Sequence, residues 1–360
     1  MISRRFLLGI AVSSLVPGAE KLVVPSELSK FEDAATELPL TRLTSPEHTS
    51  VLPVGAVARK GFLLYGSDRS GRFEAFRLDL KKGESQQLTD AEALDPHSLM
   101  LLPGESGFCY FAAGRLMSQP FSAVRPTQWA KVSDGFQGAG SIAVSADGLY
   151  AAFLEAKGAT HRLRLVTVRT GVVTTLAESD EAMGGPVVRP KRASVLYRRG
   201  TGVYLANFDG KQNYRLRTLE GSVAQAQWSP DGRTVVYLHV PAEAGKLRSL
   251  REFTPDSNDD KPIADTTQFA AFSRNADGSV FVGASGSKAS PYVLLLVRTV
   301  KRELTLAEHR ASDPALVNPQ FSPNSQQVFF ASDLHGKPAI YRMDVDRLVS
   351  DTAQSEALYK

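Results

Sequence analysis

A tight turn recurs along this chain at a nearly constant interval, and this repetition constrains the fold more than any other feature of the sequence. The clearest copy is Ser229-Pro230-Asp231-Gly232. Weaker copies begin at Ser145, Ser273 and Ser322, so that successive copies lie 84, 44 and 49 residues apart. A run rich in β-branched and aromatic residues follows each turn. Because Asp-Gly turns join antiparallel strands, each unit is predicted to begin with a strand, a turn and a second strand.

A second turn marks the next part of each unit. It reads Ser67-Asp68-Arg69-Ser70-Gly71 near the start of the chain and Ser332-Asp333-Leu334-His335-Gly336 near its end. A run of alternating apolar and polar residues follows each copy, which is typical of a half-buried strand. The first copy then continues to Gln86-Gln87-Leu88-Thr89, a fourth strand. Four strands in a unit of about 40–45 residues predict the blade of a β-propeller.

The repeats predict an all-β protein, a seven-bladed propeller with four antiparallel strands per blade, although six or eight blades are left open. The blades are placed at residues 45–90, 91–135, 136–180, 181–219, 220–266, 267–311 and 312–345. The last unit ends after its third strand, whereas residues 40–44 copy a fourth strand. An open ring would leave unpaired strand edges, so residues 40–44 are expected to close the last blade. Residues 20–39 are then a leader with one short helix, residues 40–345 the propeller, and residues 346–360 a tail.

The N-terminus indicates export. Residues 1–19 form a short basic head followed by an apolar run that stops at Pro17-Gly18-Ala19. This run is shorter than the ~20 residues that span a bilayer, so it predicts a cleaved signal rather than a membrane span. The segment Ser3-Arg4-Arg5-Phe6-Leu7 is typical of the twin-arginine signal, which exports folded proteins. We therefore expect a periplasmic or secreted protein.

Charge and cysteine content narrow the function further. The formal net charge is +4, and cleavage near Ala19 would remove Arg4 and Arg5 and leave +2. Without a cluster of basic residues, this balance argues against nucleic acid as a partner. The single cysteine, Cys109, lies in an apolar run and is expected to be a buried, inert thiol.

The repeat resembles that of TolB-like and WD-like propellers and, more narrowly, of the oligogalacturonate lyases. The resemblance covers residues 40–345 and is clearest at Leu43-Thr44-Ser45-Pro46-Glu47-His48-Thr49, at residues 64–71, and at Asn318-Pro319-Gln320-Phe321-Ser322-Pro323. It implies a seven-bladed propeller that cleaves pectin fragments by β-elimination. It also implies a divalent metal such as manganese, held by histidines near the channel mouth, which acts as a Lewis acid on the substrate.

This chain departs from the family at the residues that carry the chemistry. The positions of three ligand histidines fall at Ala271, Leu316 and Asn318, and that of the histidine expected as base falls at Gln225. Asp313 falls near the remaining ligand position. A carboxylate and an amide make a poor site where imidazole nitrogens are expected, so no metal site is predicted.

Two functions remain open. The first is an exported, monomeric, non-catalytic propeller without a cofactor, which binds a carbohydrate or a protein partner at the channel mouth. The alternative is a divergent metal-dependent oligogalacturonate lyase with a rebuilt site. The candidate residues at the mouth are His48, His97, Gln225, Asp313, Asn318 and Gln320.

Overall fold

The chain forms seven antiparallel sheets arranged as the blades of a propeller. The structure is a computed structural model, and it describes residues 21–123, 125–266 and 269–350. Seven sheets of four or five strands confirm the predicted all-β, seven-bladed architecture and exclude six or eight blades. The predicted export signal, residues 1–19, lies outside the described residues, as does the end of the predicted tail from 351 onward.

Three short strands precede the first blade: β1 (Val23–Val24), β2 (Ser29–Glu32) and β3 (Pro39–Arg42). Blade 1 contains β4 (Ser50–Val51), β5 (Phe62–Ser67), β6 (Glu74–Asp79) and β7 (Ser85–Gln87). Blade 2 contains β8 (Met100–Leu101), β9 (Gly107–Ala112), β10 (Arg115–Pro120) and β11 (Thr127–Lys131). Blade 3 contains β12 (Gln137–Gly138), β13 (Ala143–Val144), β14 (Tyr150–Lys157), β15 (Thr160–Thr167) and β16 (Val172–Ser179).

Blade 4 contains β17 (Met183–Val188), β18 (Ser194–Arg199), β19 (Gly202–Asn207) and β20 (Asn213–Arg215). Blade 5 contains β21 (Ser222–Trp228), β22 (Val235–Val240), β23 (Arg248–Thr254) and β24 (Asp259–Thr266). Blade 6 contains β25 (Phe269–Arg274), β26 (Val280–Ser285), β27 (Tyr292–Val297) and β28 (Arg302–Glu308). Blade 7 contains β29 (Gln320–Phe321), β30 (Gln327–Ser332) and β31 (Ala339–Asp344). Short 3-10 helices lie at Pro96–Ser98, Pro103–Glu105 and Pro314–Leu316.

An N-terminal strand closes the ring, as predicted. Strand β3 pairs antiparallel with β31, with Thr41 opposite Arg342. The Ile340 amide also donates to Thr44 Oγ1. Strand β3 therefore covers the outer edge of β31 in blade 7, which suppresses the unpaired edge of an open ring.

The expected helix in the leader is wrong. Strand β2 pairs with β3 and adds a fifth strand to blade 7, while β1 pairs with β7 at the outer edge of blade 1. Residues Ser29–Glu32 alternate between half-buried and exposed positions. This period of two is that of a strand packed on one face, and it overrides any local helical preference.

The apolar core lies between adjacent blades. For example, Tyr65 and Phe76 of blade 1 form one buried cluster with Phe329 and Ile340 of blade 7. Cys109 is fully buried, and burial raises the pKa of its thiol, which agrees with an inert residue. Within the described ranges, no helix has the length and apolar character needed to cross a membrane.

The two ends of the ring differ. The innermost strand of each blade begins at the connection from the preceding blade, and we call this end the mouth end. The short helices at Pro96–Ser98 and Pro314–Leu316 lie there. The innermost strand finishes at the first hairpin of its blade, such as residues 229–234, and we call this end the turn end.

Candidate functional site

A channel runs along the propeller axis. Two cavities, of about 580 Å³ and 480 Å³, share seven lining residues and are therefore continuous: Val54, His97, Ser141, Arg198, Ala224, Gln225 and Asn318. The first cavity reaches Pro96 and Leu316 at the mouth end. The second reaches Ser229 and Pro230 at the turn end. Such a concave, largely apolar space with few polar groups is the usual setting of a ligand site.

Of the sequence-predicted candidates, His97, Gln225, Asn318 and Gln320 line the channel. His97 is an exposed residue within the helix Pro96–Ser98. Asp95 caps this helix by accepting from the His97 amide at 3.0 Å. The cap fixes the backbone and leaves the imidazole facing the channel space.

The three amide side chains are occupied by the backbone of neighbouring blades. Gln320 accepts from the Ala56 amide at 3.0 Å and donates to the Pro53 carbonyl at 2.9 Å. Asn318 donates to the Leu52 carbonyl at 2.8 Å. These bonds tie blade 7 to blade 1. The two side chains therefore stabilise the contact between these blades, because buried backbone groups need hydrogen-bond partners.

Gln225 has the same structural role between blades 5 and 6. Its Oε1 accepts from the Phe272 amide at 2.9 Å, which links β21 of blade 5 to β25 of blade 6. Gln227, on the same strand, donates to the Phe272 carbonyl at 2.9 Å. An amide fixed in this way has no basic lone pair to offer as a proton acceptor.

The other two candidates are close in sequence to residues of the mouth cavity, Thr49 and Ala315, but do not line it themselves. Asp313 caps the helix Pro314–Leu316 by accepting from the Ala315 amide at 3.0 Å. His48 lies with its Nδ1 4.0 Å from Asp68 Oδ1. Neither residue lines the channel within the described part of the chain.

The residues at the expected metal positions do not fit a manganese ion. Ala271 and Leu316 line the mouth cavity, but neither side chain has a donor atom. The third position, Asn318, uses its Nδ2 on the Leu52 carbonyl. Among the residues that the structure describes, no group of three or more His, Cys, Asp and Glu side chains could hold a metal ion. Manganese favours several oxygen or imidazole donors at one point, and this mouth presents an apolar wall instead.

Sequence reasoning missed the residue with the most distinctive environment, Arg198. This arginine lies on β18, the second strand of blade 4, yet it lines both channel cavities. It reaches them past Gly184 and Gly185 of the inner strand β17. A Cβ atom at Gly184 would lie 2.8 Å from Arg198 Nη2, and one at Gly185 would lie 3.6 Å from Nε. The two glycines thus open a window for the guanidinium.

Arg198 carries a desolvated charge without an acidic neighbour. Burial lowers the pKa of its guanidinium, and no ion pair to it occurs among the described residues. No aspartate or glutamate lines either cavity within those residues. Arg198 is half-buried, and a partly desolvated cation without a counter-ion interacts favourably with a ligand that supplies a negative charge. A guanidinium matches a carboxylate through two parallel hydrogen bonds.

Comparison with known proteins gives one consistent relationship. The chain is 24% identical to an oligogalacturonide lyase of Pectobacterium atrosepticum, over 88% of this chain and 96% of that protein. It is 21% identical to an oligogalacturonate lyase of Dickeya dadantii, over 86% of this chain and 94% of that protein. No family model matches the chain.

Solved structures agree on the fold. An oligogalacturonate lyase in complex with manganese superposes with a TM-score of 0.84 and 23% identity, covering 92% of this chain and 100% of that one. TolB from Acinetobacter baumannii superposes with a TM-score of 0.50 and 15% identity, covering 72% of this chain and 63% of that one. The chain is therefore similar to oligogalacturonate lyases along most of its length and shares the fold of a solved member.

Proposed function

We propose that the channel binds an acidic oligosaccharide of the galacturonate class and holds one uronate carboxylate against Arg198. The single observation that supports this function is the unpaired guanidinium in a channel whose described walls bear no carboxylate. The names of the two sequence relatives point to the same ligand class, because galacturonate carries one carboxylate per sugar.

The apolar wall favours binding over metal-assisted chemistry. Val54 and Leu316 are 60% and 53% exposed at the mouth, where they offer surface to the carbon skeleton of a sugar. β-Elimination needs a base within hydrogen-bond reach of the proton that is removed. Gln225, at the position expected for that base, is an amide that already accepts from Phe272. These two observations support recognition without turnover as the first proposal.

A lyase activity is the second candidate, and one residue favours it. His97 lines both cavities, and no other histidine is found among the described residues that line the channel. A neutral imidazole near a bound uronate would serve as a general base. In this alternative, Arg198 would hold the carboxylate and His97 would accept the proton from the adjacent carbon.

Calorimetric titration with a galacturonate oligomer tests the binding function. Charge-assisted hydrogen bonds contribute about 1.5–3 kcal/mol, so Arg198→Met should weaken binding by about tenfold or more. The matched control is Arg233→Met, because Arg233 is 81% exposed at the turn end. Unchanged affinity in Arg198→Met, or no binding by the parent protein, would contradict the proposal.

The two candidate functions separate in the same samples. Unsaturated uronate products absorb in the ultraviolet, so elimination is followed directly. Binding without product supports recognition alone. Product formation that His97→Gln abolishes while the oligomer still binds would instead establish the lyase alternative.

We also propose that binding takes place outside the cytoplasm, in the periplasm or medium. The support is the segment Ser3-Arg4-Arg5-Phe6-Leu7, which has the twin-arginine pattern. Replacing Arg4 and Arg5 by lysine should retain the protein in the cytoplasm. Continued export of this variant would contradict the twin-arginine route.

A further inference from the structure

A second cavity, of about 680 Å³, opens at the turn end of the ring and shares no described lining residue with the channel. It is bounded by blade 4 and by single residues of its neighbours. Tyr150 at the start of β14 comes from blade 3, and Asp256, which follows β23, comes from blade 5. The site is therefore separate from the one that Arg198 serves.

Aromatic rings form one wall of this cavity. Tyr214, on the short outer strand β20, is 45% exposed. Tyr150 and Phe208 lie together, with ring centroids 4.9 Å apart, and both are half-buried. An exposed tyrosine ring beside other rings offers the flat apolar surface on which the C–H face of a pyranose packs.

A buried guanidinium forms part of the cavity wall. The Arg189 side chain is 4% exposed, and its Nε donates to the Gly232 carbonyl at 2.8 Å. Its Nη2 is buried and lies 3.6 Å from Asp256 Oδ1, and the guanidinium lies over the Trp228 ring, so this group is held by the protein and forms part of the charged wall.

Amide groups complete the polar wall. Asn207 Nδ2 donates to Gln212 Oε1 at 3.0 Å. The pairing leaves Asn207 Oδ1 as an acceptor and Gln212 Nε2 as a donor towards the cavity that both residues line. One acceptor beside one donor suits a hydroxyl group, which both donates and accepts.

The charges around the cavity balance. Arg189 and Arg192 face Asp209 and Asp256, and Asp256 lies 3.3 Å from Arg192 Nη2. The cavity therefore has no net charge to select an anion, unlike the channel. Recognition must come from hydroxyl groups and an apolar ring face.

From this geometry, we propose that the cavity is a second carbohydrate-binding site, which takes an uncharged sugar ring of an oligosaccharide. The ring packs on Tyr214, and its hydroxyl groups bond Asn207 and Gln212. The proposal is independent of the uronate site, since this cavity shares no described lining residue with the channel that Arg198 lines.

Affinity electrophoresis tests this site with fully methyl-esterified homogalacturonan, galactan, xylan and cellohexaose as probes. These probes are uncharged, so the Arg198 site has no carboxylate to bind. At least one probe should bind the parent protein. Tyr214→Ala should weaken that binding about tenfold, and Gln212→Ala should weaken it clearly, because stacking and hydroxyl contacts are lost. Both residues are exposed, so both variants should fold.

Two controls keep the outcome decisive. Leu219→Ala removes an apolar side chain of the same 45% exposure outside this cavity and should leave binding unchanged. Arg198→Met should also leave it unchanged. Binding of no probe, equal binding by Tyr214→Ala, or loss in Arg198→Met would overturn the proposal. If Arg198→Met loses galacturonate binding but still binds the uncharged probe, the result supports the channel site and leaves the present proposal standing.

Discussion

Arg198 on the second strand of blade 4 extends into the channel across Gly184 on the first strand, where a Cβ atom would lie 2.8 Å from its Nη2. An inner-strand glycine thus determines whether a second-strand residue reaches the axis. Because the clash would involve the far end of a flexible side chain, the backbone has no need to move.

Gly184→Ala should therefore weaken galacturonate binding nearly as much as Arg198→Met, with a melting temperature close to that of the parent. Calorimetric titration and thermal unfolding check both parts. Gly202→Ala is the matched control, since its Cβ would meet Arg215 Nε at 2.7 Å, outside the channel. Full affinity in Gly184→Ala would show that the glycine window does not position Arg198.

Glu27 should contribute strongly to stability through a buried partner. The Arg69 side chain is 3% exposed, and its Nη2 lies 2.9 Å from Glu27 Oε2. Glu27→Gln would leave this charge without its counter-ion and should cost about 2–4 kcal/mol in urea unfolding, since one half of a buried pair is removed. Asp134→Asn, which breaks a pair with a carboxylate that is 93% exposed, should cost under ~1 kcal/mol. Equal losses in the two variants would contradict the role of burial.

Acid should destabilise the protein in part through His309. This histidine is fully buried, its Nδ1 accepts from the Ala311 amide, and desolvation lowers its pKa despite the nearby Asp333 and Glu308. The unfolded chain therefore binds the proton more readily than the folded one, so stability rises with pH in this range. It is fully present above the ordinary histidine pKa and is lost as the pH falls below it.

Unfolding measured between pH 7 and pH 5 should show a shallower pH slope in His309→Gln than in the parent, whatever the absolute stability of the variant. A His309 imidazole that titrates above its ordinary pKa by NMR would reverse the predicted sign.

Manganese should not bind stoichiometrically. Ala271 and Leu316 have no donor atoms, and the described residues contain no cluster of acid, histidine or cysteine side chains. After dialysis against a chelator, titration with manganese should give no saturable heat and no rise in melting temperature. Saturable binding of one ion per chain would contradict this prediction, because it would require a set of metal-ligating atoms that the described side chains do not form.

The blade count was predictable because the hairpin turns recur, even where their sequence decays. Blades 2 and 4 lack the Asp-Gly turn. Blade 2 uses Gly104 with φ 68°, and blade 4 uses Lys191 with φ 62°. The left-handed conformation that the turn requires is thus retained with different residues. The repeat period and the strand pattern therefore predict blades 2 and 4 even though the Asp-Gly turn is absent from them.

The site was predictable only in part, because a linear pattern assigns side chains to the strand on which they lie. Gln225 and Asn318 line the channel, but their hydrogen bonds to Phe272 and Leu52 depend on neighbouring blades, which a linear pattern does not show. Arg198 was missed, since second-strand residues ordinarily face adjacent blades. The sequence does contain one signal for it, the pair Gly184-Gly185 in an inner strand. Gly184 is paired with Arg198 on the next strand, and a glycine has no side chain that would separate this arginine from the channel.

The pairing of β3 with β31 has a consequence for how the molecule is made. The bond from the Ile340 amide to Thr44 Oγ1 joins residues 296 positions apart in the chain. During synthesis, Thr44 emerges long before Ile340, so this bond forms only after a further 296 residues have been made. The six preceding sheets can assemble in order, but the ring closes only when β3 pairs with β31, so a partly synthesised chain is an open arc.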